Sequence, residues 1–341
     1  MGHTIRDVAR EAAVSVASVS RVLNGTATVS PETRARILAV ADRLAYVPHA
    51  GARSLSLSRT HAVGVVLPDL HGEFFSELVR GMDREASRRG LQLLLSSMHD
   101  DIEQASHALR AMRGRVDGLV IMAPHLEAAA LVRALPRTTP AVLINCRGDA
   151  EGHEALRVDN AAGVEAMVRH LTETGRRHIV HIGGPAGNLD AEERATAFSA
   201  AMARLAPGGT ARIIPGDFSE EAGEAAAHRI LAGGEPVDAI FAANDMMAIG
   251  CLVALREAGI DVPGRIAVAG FDDVPVARYL ALTTMRVRMA EIGAQAIARL
   301  AGSMEHRPTE ASVALHTPEL IVRGTTALPM KQTETAGERN T

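Results

Sequence analysis

The sequence predicts an α/β protein: two doubly wound parallel-sheet lobes preceded by a small all-α head. Three observations predict it. Beyond residue 60, short apolar runs alternate with amphipathic helical stretches, the pattern of strands buried on both faces by helices. The alternation restarts near Asp159, and the runs are too many for one comfortable sheet. The first 48 residues lack such runs and carry three helical stripes instead. At 341 residues the chain has room for about two folded units of roughly 150 residues each.

The head comes first. Ile5, Val8, Ala9 and Ala12 fall at i, i+3, i+4 and i+7, one apolar stripe, with Thr4 at the N-cap and Asp7 three residues on. A second helix is capped by Ser15, turns Val19, Val22 and Leu23 inward, and stops at Asn24-Gly25, two residues that accept the left-handed conformation. The third takes Ser30 as its cap and Pro31 in its first turn, then repeats the spacing with Ile37, Val40, Ala41 and Leu44. Pro48 closes this unit; His49–Arg59, with its serines and arginines, reads as a linker or a marginal helix. Strands are expected at Ala62–Pro68, Leu91–Leu95, Gly118–Ala123, Ala141–Ile144, Ile179–Ile182, Ala239–Ala243 and Ile266–Phe271. Helices are expected over Glu73–Arg89, Asn160–Glu173 and Asp245–Ala258. Sheets of this kind bind ligands beyond the carboxyl ends of their strands. The polar stretch Leu328–Thr341 is expected to be a disordered tail.

Charge is placed unevenly. Residues 1–60 hold eight arginines and four acidic residues, a net charge of +4, while the whole chain carries −4, which leaves −8 on the rest. A basic head on an acidic body fits a polyanionic partner for the head. The apolar runs fall well short of the roughly 20 residues that span a bilayer, so no membrane partner is expected. The N-terminus has no apolar core of a secretory signal. Two cysteines, Cys146 and Cys251, give neither a disulfide framework nor a zinc spacing, and they suit a reducing cytoplasm. No cofactor or metal is expected.

Two short helices joined by a tight turn make a helix-turn-helix, whose second helix enters the DNA major groove. Once Val19, Val22 and Leu23 face inward, Val16, Ala17, Ser18 and Arg21 are left outward at the N-terminal half of that helix. Arg21 has the fork that matches guanine, and Val16 or Ala17 the apolar surface that meets a thymine methyl. Ser15, Ser18, Ser20, Arg34 and Arg36 can donate to phosphates. The pattern alone also fits a plain three-helix bundle with a solvated face.

The stretches Thr4-Ile5-Arg6-Asp7-Val8-Ala9-Arg10-Glu11-Ala12, Val14 to Gly25 and Val29-Ser30-Pro31-Glu32-Thr33-Arg34 closely resemble the head of the lac repressor (LacI/GalR) family. The resemblance implies a sequence-specific transcriptional regulator that reads double-stranded DNA, with Thr4, Asn24 and Ala52 joining the residues above as contacts. It also implies that the protein is a cytoplasmic homodimeric repressor on a pseudopalindromic operator, controlled by a small molecule. Ala13 departs from the family's usual turn glycine; with a positive φ it would cost on the order of 1 kcal/mol. The segment from Tyr46 to Leu55 resembles the family hinge, a helix formed on DNA, where Leu55 would wedge into the minor groove. The bland alternative packs Leu55 on the core. The hinge is expected to be disordered away from DNA.

The body, over roughly residues 62–326, resembles the family's periplasmic-binding-protein-like core. Its markers include Val116-Asp117-Gly118, Gly183-Gly184-Pro185, Ala243-Asn244-Asp245 and Gly270-Phe271-Asp272-Asp273. The expected division is a head at 1–48, a hinge at 49–60, a core at 61–326 and a tail at 327–341. Within the core the N-lobe takes about 61–159 and 287–318, and the C-lobe 160–286 and 319–326. By family position the effector residues are Asp69, Phe74, Phe75, Asn145, Arg194, Phe218, Asn244 and Asp272. A polyol pocket wants such carboxylates, amides and an arginine, with aromatic plates for apolar ring faces. Strand-end Asn and Asp can instead cap the next helix; that reading is given to Asp245 and Asp273, and the ligand role to Asn244 and Asp272. His71-Gly72-Glu73, Asn145-Cys146 and Val287-Arg288 depart from the sugar-binding pattern, which bears on ligand chemistry, although a carbohydrate remains the expected effector.

Two other functions share this fold class. An enzyme lacks its usual signatures here, since no Gly-x-Gly-x-x-Gly follows the first strand and no Gly-x-x-x-x-Gly-Lys is present. A solute-binding receptor would need a signal peptide and no DNA head.

Overall fold

The structure, a computed structural model, describes residues 3–24, 29–46, 59–70, 72–98, 101–136, 139–148, 150, 152–305 and 312–327. The expectations for Gly25, Pro48, the hinge residues Ala52 and Leu55, and the tail from Leu328 lie outside the described residues.

The head is three helices, α1 (Ile5–Glu11), α2 (Val16–Leu23) and α3 (Pro31–Arg43). Each begins on a short polar side chain. The Asp7 carboxylate accepts from the Thr4 N–H at 2.9 Å and from its hydroxyl at 2.8 Å. Ser15 Oγ accepts from the Ser18 N–H at 3.1 Å, and Ser30 Oγ from the Thr33 N–H at 3.3 Å. These bonds satisfy donors that a helix start leaves open. The apolar stripes meet in one small core containing Val8, Ala12, Val19, Val22, Ile37 and Val40. The tight turn between α1 and α2 puts Ala13 at φ +52°.

The body holds two six-stranded sheets. The first is built from β1 (Ala62–Leu67), β2 (Gln92–Ser97), β3 (Gly118–Met122), β4 (Ala141–Ile144), β5 (Glu154–Val158) and β11 (Val313–His316), in the order β11-β5-β4-β3-β1-β2 and parallel throughout. Its helices are α4 (Glu73–Arg88), α5 (Ile102–Met112), α6 (Ala128–Ala134) and α11 (Met289–Met304). The second holds β6 (His178–Ile182), β7 (Thr210–Ile214), β8 (Ala239–Ala242), β9 (Ala267–Asp272), β10 (Thr283–Arg286) and β12 (Glu319–Ile321), in the order β12-β10-β9-β8-β6-β7. It carries α7 (Asn160–Glu173), α8 (Leu189–Leu205), α9 (Glu220–Ala232) and α10 (Asp245–Glu257). Its edge strand β12 runs antiparallel to β10, a departure from an all-parallel reading.

The chain passes between the sheets three times: after β5, after β10 and between β11 and β12. Neither lobe is therefore a continuous stretch of chain. In the first lobe α4 and α11 pack closely, because Gly81 lies against the Ala290 carbonyl and Gly293 against the Leu78 carbonyl; a Cβ at either would collide with backbone. Five strands lie outside the apolar runs. β7, β11 and β12 are edges with exposed positions, β5 carries Glu154 and Arg157, and β10 reads Thr-Thr-Met-Arg.

Candidate DNA interface and ligand cleft

Burying Val19 and Val22 turns the other face of α2 to solvent. Val16 is 42% exposed; Ala17 and Arg21 are exposed beside it, and Ser18 and Ser20 are half-buried. Ser15 and Ser18 hydroxyls lie 2.9 Å apart, and Ser20 Oγ accepts from Asn24 Nδ2 at 3.3 Å. Thr4 and Arg34 are exposed on the neighbouring helix starts. Thr4 spends its hydroxyl hydrogen on Asp7 and so faces solvent as an acceptor. With its two bonds from Thr4 and the nearby Arg10 guanidinium, the Asp7 carboxyl is held down at about 2.

Between the lobes lies a cleft of about 870 Å³. Asp69, Phe74 and Phe75 line it from the first lobe, and Arg194, Phe218, Asn244 and Asp272 from the second. The backbone there is unusual. Phe218 has φ +74° and Asp272 φ +112°, with Asp273 at +57° just behind. Non-glycine residues held this way cost about 1–3 kcal/mol each, and such positions gather at functional sites.

Asp272 is the centre of the cleft's electrostatics. It is 7% exposed, and its Oδ1 accepts no hydrogen bond. Arg194 Nη1 stands 3.7 Å away, beyond bonding range. That arginine is committed elsewhere: Nε donates to Asn160 Oδ1 at 2.8 Å, Nη1 to the Ala243 carbonyl at 2.6 Å, and the guanidinium lies 3.8 Å from the Phe271 ring centroid. Burial pushes the Asp272 carboxyl up to about 7; Arg194 opposes the shift and Asp190 adds to it.

Asn145 does not line the cleft. It is 2% exposed and sits behind the wall at φ +46°. Its Nδ2 donates to Asp190 Oδ2 at 3.1 Å, and its Oδ1 accepts from the Val158 N–H at 3.2 Å. The left-handed turn after β4 directs its amide across to Asp190 of the other lobe. The capping assignments are also corrected. Asn244 caps α10, its Oδ1 accepting from the Met247 N–H at 3.0 Å while Nδ2 donates to the Phe218 carbonyl at 2.9 Å. Asp245 instead turns inward, accepting from the Thr284 hydroxyl at 2.5 Å and the Val274 N–H at 2.9 Å. Burial, then the neighbouring Asp272, raises its carboxyl well above the usual range. Asp273 caps nothing; it pairs with Arg286 and Arg323, both at 2.7 Å.

Sequence reasoning missed Asp190, Asn188, His125 and Asp217, which also line the cleft. Asp190 had a readable signal, one helical turn before Arg194 and just past the turn that follows Gly183-Gly184-Pro185. It ties the lobes together, accepting from Asn145 Nδ2 and, at 2.8 Å, from Asn160 Nδ2. Asn188 caps α8 at Ala191 and places its Nδ2 3.2 Å from His125 Nε2. Leu189 N–H donates to the Pro124 carbonyl at 2.9 Å, and Arg147 reaches Glu192 at 2.7 Å.

Comparison with known proteins agrees with both halves. The model of bacterial regulatory proteins of the lacI family matches residues 4–49, and that of the periplasmic binding protein-like domain matches residues 168–326. The HTH-type transcriptional regulator GalR of Escherichia coli K12 is 32% identical over 333 residues, 96% of either chain. The ribose operon repressor of Escherichia coli K12 is 34% identical over 334 residues, 94% of this chain and 99% of the relative. Among solved structures, the lac repressor dimer bound to operator and the anti-inducer ONPF has a TM-score of 0.88 at 27% identity, covering 96% of this chain and 100% of that one. The transcriptional regulator CelR in complex with cellobiose has a TM-score of 0.70 at 29% identity, covering 95% and 99%. With its capped three-helix head, its paired sheets and its full-length similarity to these regulators, the chain belongs to the lacI family of bacterial regulatory proteins.

Proposed function

We propose that α2 reads base edges in the major groove through Val16, Ala17 and Arg21, and that a small carbohydrate in the interlobe cleft sets how tightly it does so. The chain is a DNA-binding transcriptional regulator and not an enzyme. The observation that carries the proposal is the pairing of two surfaces in one chain: an outward recognition face, and a cleft whose buried Asp272 Oδ1 is left without a donor. A ligand hydroxyl or amine would supply that donor.

The working division is a DNA head over 1–48, a hinge over 49–60 that carries Ala52 and Leu55 to the minor groove, and an effector core over 61–326. Two copies place two heads on a pseudopalindromic operator, because two-fold protein symmetry meets two-fold DNA symmetry. Support comes from the lac repressor dimer bound to operator and the CelR–cellobiose complex, each of which shares this architecture. No helix among the described residues is long and apolar enough to cross a membrane; a cytoplasmic setting follows from the work proposed for the head.

Selection of bound fragments from the source genome at near-physiological salt, followed by footprinting, tests the proposal. Protection of a pseudopalindrome, altered by a sugar, is the expected result. Binding without sequence preference that collapses with modest added salt would leave phosphate attraction alone and overturn it.

A further inference from the structure

The interlobe cleft is strongly acidic. Seven carboxylates line it, Asp272 and Asp190 buried and Glu73, Asp217, Glu220 and Glu221 exposed among them, against a single arginine, Arg194. That arginine is bonded to Asn160 and the Ala243 carbonyl. Several of the carboxylates are also engaged within the protein. Both oxygens of Asp190 accept from asparagines, and Asp217 Oδ1 accepts from the Ser219 N–H and hydroxyl. Asp272 differs: it is buried, it lines the cleft, and its Oδ1 has no donor.

We infer that the effector is a hydroxylated ring bearing a protonated amine, an amino-sugar type of ligand, with its ammonium on Asp272. This rests on the regulator reading of the same cleft. A phosphorylated sugar or a sugar acid brings a second negative charge into a space where one cation, already bonded, faces seven carboxylates. A neutral sugar can donate one hydroxyl to Asp272 but leaves the charge of the walls unbalanced as water is expelled. An ammonium supplies three donors and the missing charge together. The aromatic residues of the walls, Phe74, Phe75 and Phe218, act in the same direction, since an aromatic ring attracts a cation as well as apolar ring surface.

The test is a thermal-shift and calorimetric series on the full-length protein, using glucose, glucosamine and glucose 6-phosphate, and the galactose and mannose counterparts of each. The amines are expected to bind about tenfold more tightly than their neutral partners, the margin of a charged over a neutral hydrogen bond, and the phosphates not at all. Asp272→Asn should close most of the gap between amine and neutral sugar. Because that change is buried, a Glu220→Gln/Glu221→Gln double variant at two exposed positions serves beside it, and should weaken the amines more than the neutral sugars. Neutral or phosphorylated members binding best, or an amine response unaffected in both variants, overturns the inference and leaves the regulator reading intact. So does a series in which nothing binds while the protein still selects a DNA site. Loss of DNA selection as well would sink the regulator reading itself.

Discussion

Ala13 sits at φ +52° in the turn between α1 and α2, where an L-residue is strained and glycine is not. Ala13→Gly is expected to stabilise the head by up to about 1 kcal/mol, read as slower hydrogen exchange of the α1–α3 amides in the full chain. Arg21→Ala should weaken binding to the selected site by about 1–3 kcal/mol and leave non-specific binding nearly unchanged, as competition assays would register. At Asp272 the sign follows from a carboxyl raised from its ordinary 3.8 to about 7 in the fold. Its favourable contribution is complete below the unfolded value and is lost as pH rises through about 7. His181, pushed down to about 4 by burial, works in the opposite direction: its contribution is present above the unfolded 6.5 and is lost as pH falls through about 4. Comparing Asp272→Asn with the parent isolates the first effect. The variant should gain melting temperature over the parent at pH 8, and the gain should shrink at pH 5. Residue types and family positions pointed at Phe74, Phe218, Arg194 and Asp272. What they left out was direction. Nothing in the order Ala243-Asn244-Asp245 says which side chain caps and which turns inward; the turn geometry decides it. Nor did Asn145 reveal that its left-handed backbone aims it at Asp190.

At the level of elements, the strands that read clearly include those buried on both faces, such as β3 and β9, and also the edge β2, whose leucines are apolar although half-exposed. The edges β7, β11 and β12 are half-wet, so their sequences look like loops. β10 is instead internal, and its threonines are fully buried because they bond inward, Thr284 to Asp245 and Thr283 to the Arg323 carbonyl and the Thr326 hydroxyl. A hydropathy reading has no access to such partners. Helix contacts are equally specific. Gly293→Ala forces a Cβ against the Leu78 carbonyl and should destabilise the protein by about 1–3 kcal/mol. Gly302→Ala, on the same helix α11 with nothing within 4 Å, should stabilise it by up to about 1 kcal/mol. Denaturant unfolding of the pair separates helix propensity from close approach.

For the whole molecule, the two-lobe division was legible because the strand–helix rhythm restarts near Asp159, where the chain first passes to the second sheet. The polar part of the joint between the lobes was not, since it consists of single contacts around the start of α8, among them Asn145 to Asp190, Arg147 to Glu192, Arg157 to Glu193 and Leu189 to Pro124. If a sugar in the cleft changes the affinity for operator by some factor, operator must change the affinity for that sugar by the same factor. Titrating each in the presence and absence of the other should return one common factor different from one, and a factor of one in both titrations would mean that the two sites are not coupled.

The three passages of the chain between the sheets also set the order in which the molecule can be assembled. The first lobe lacks α11 and β11 until residues 289–316 have been made, by which time most of the second lobe already exists. The head, whose core is local to residues 5–46, draws on none of this. During synthesis a DNA-reading unit therefore emerges well before any sensor that could restrain it. A stop codon ahead of residue 289 would strip the first lobe of α11, the helix that packs on α4, and grafting the sensor of one such regulator onto another would require cutting at all three passages.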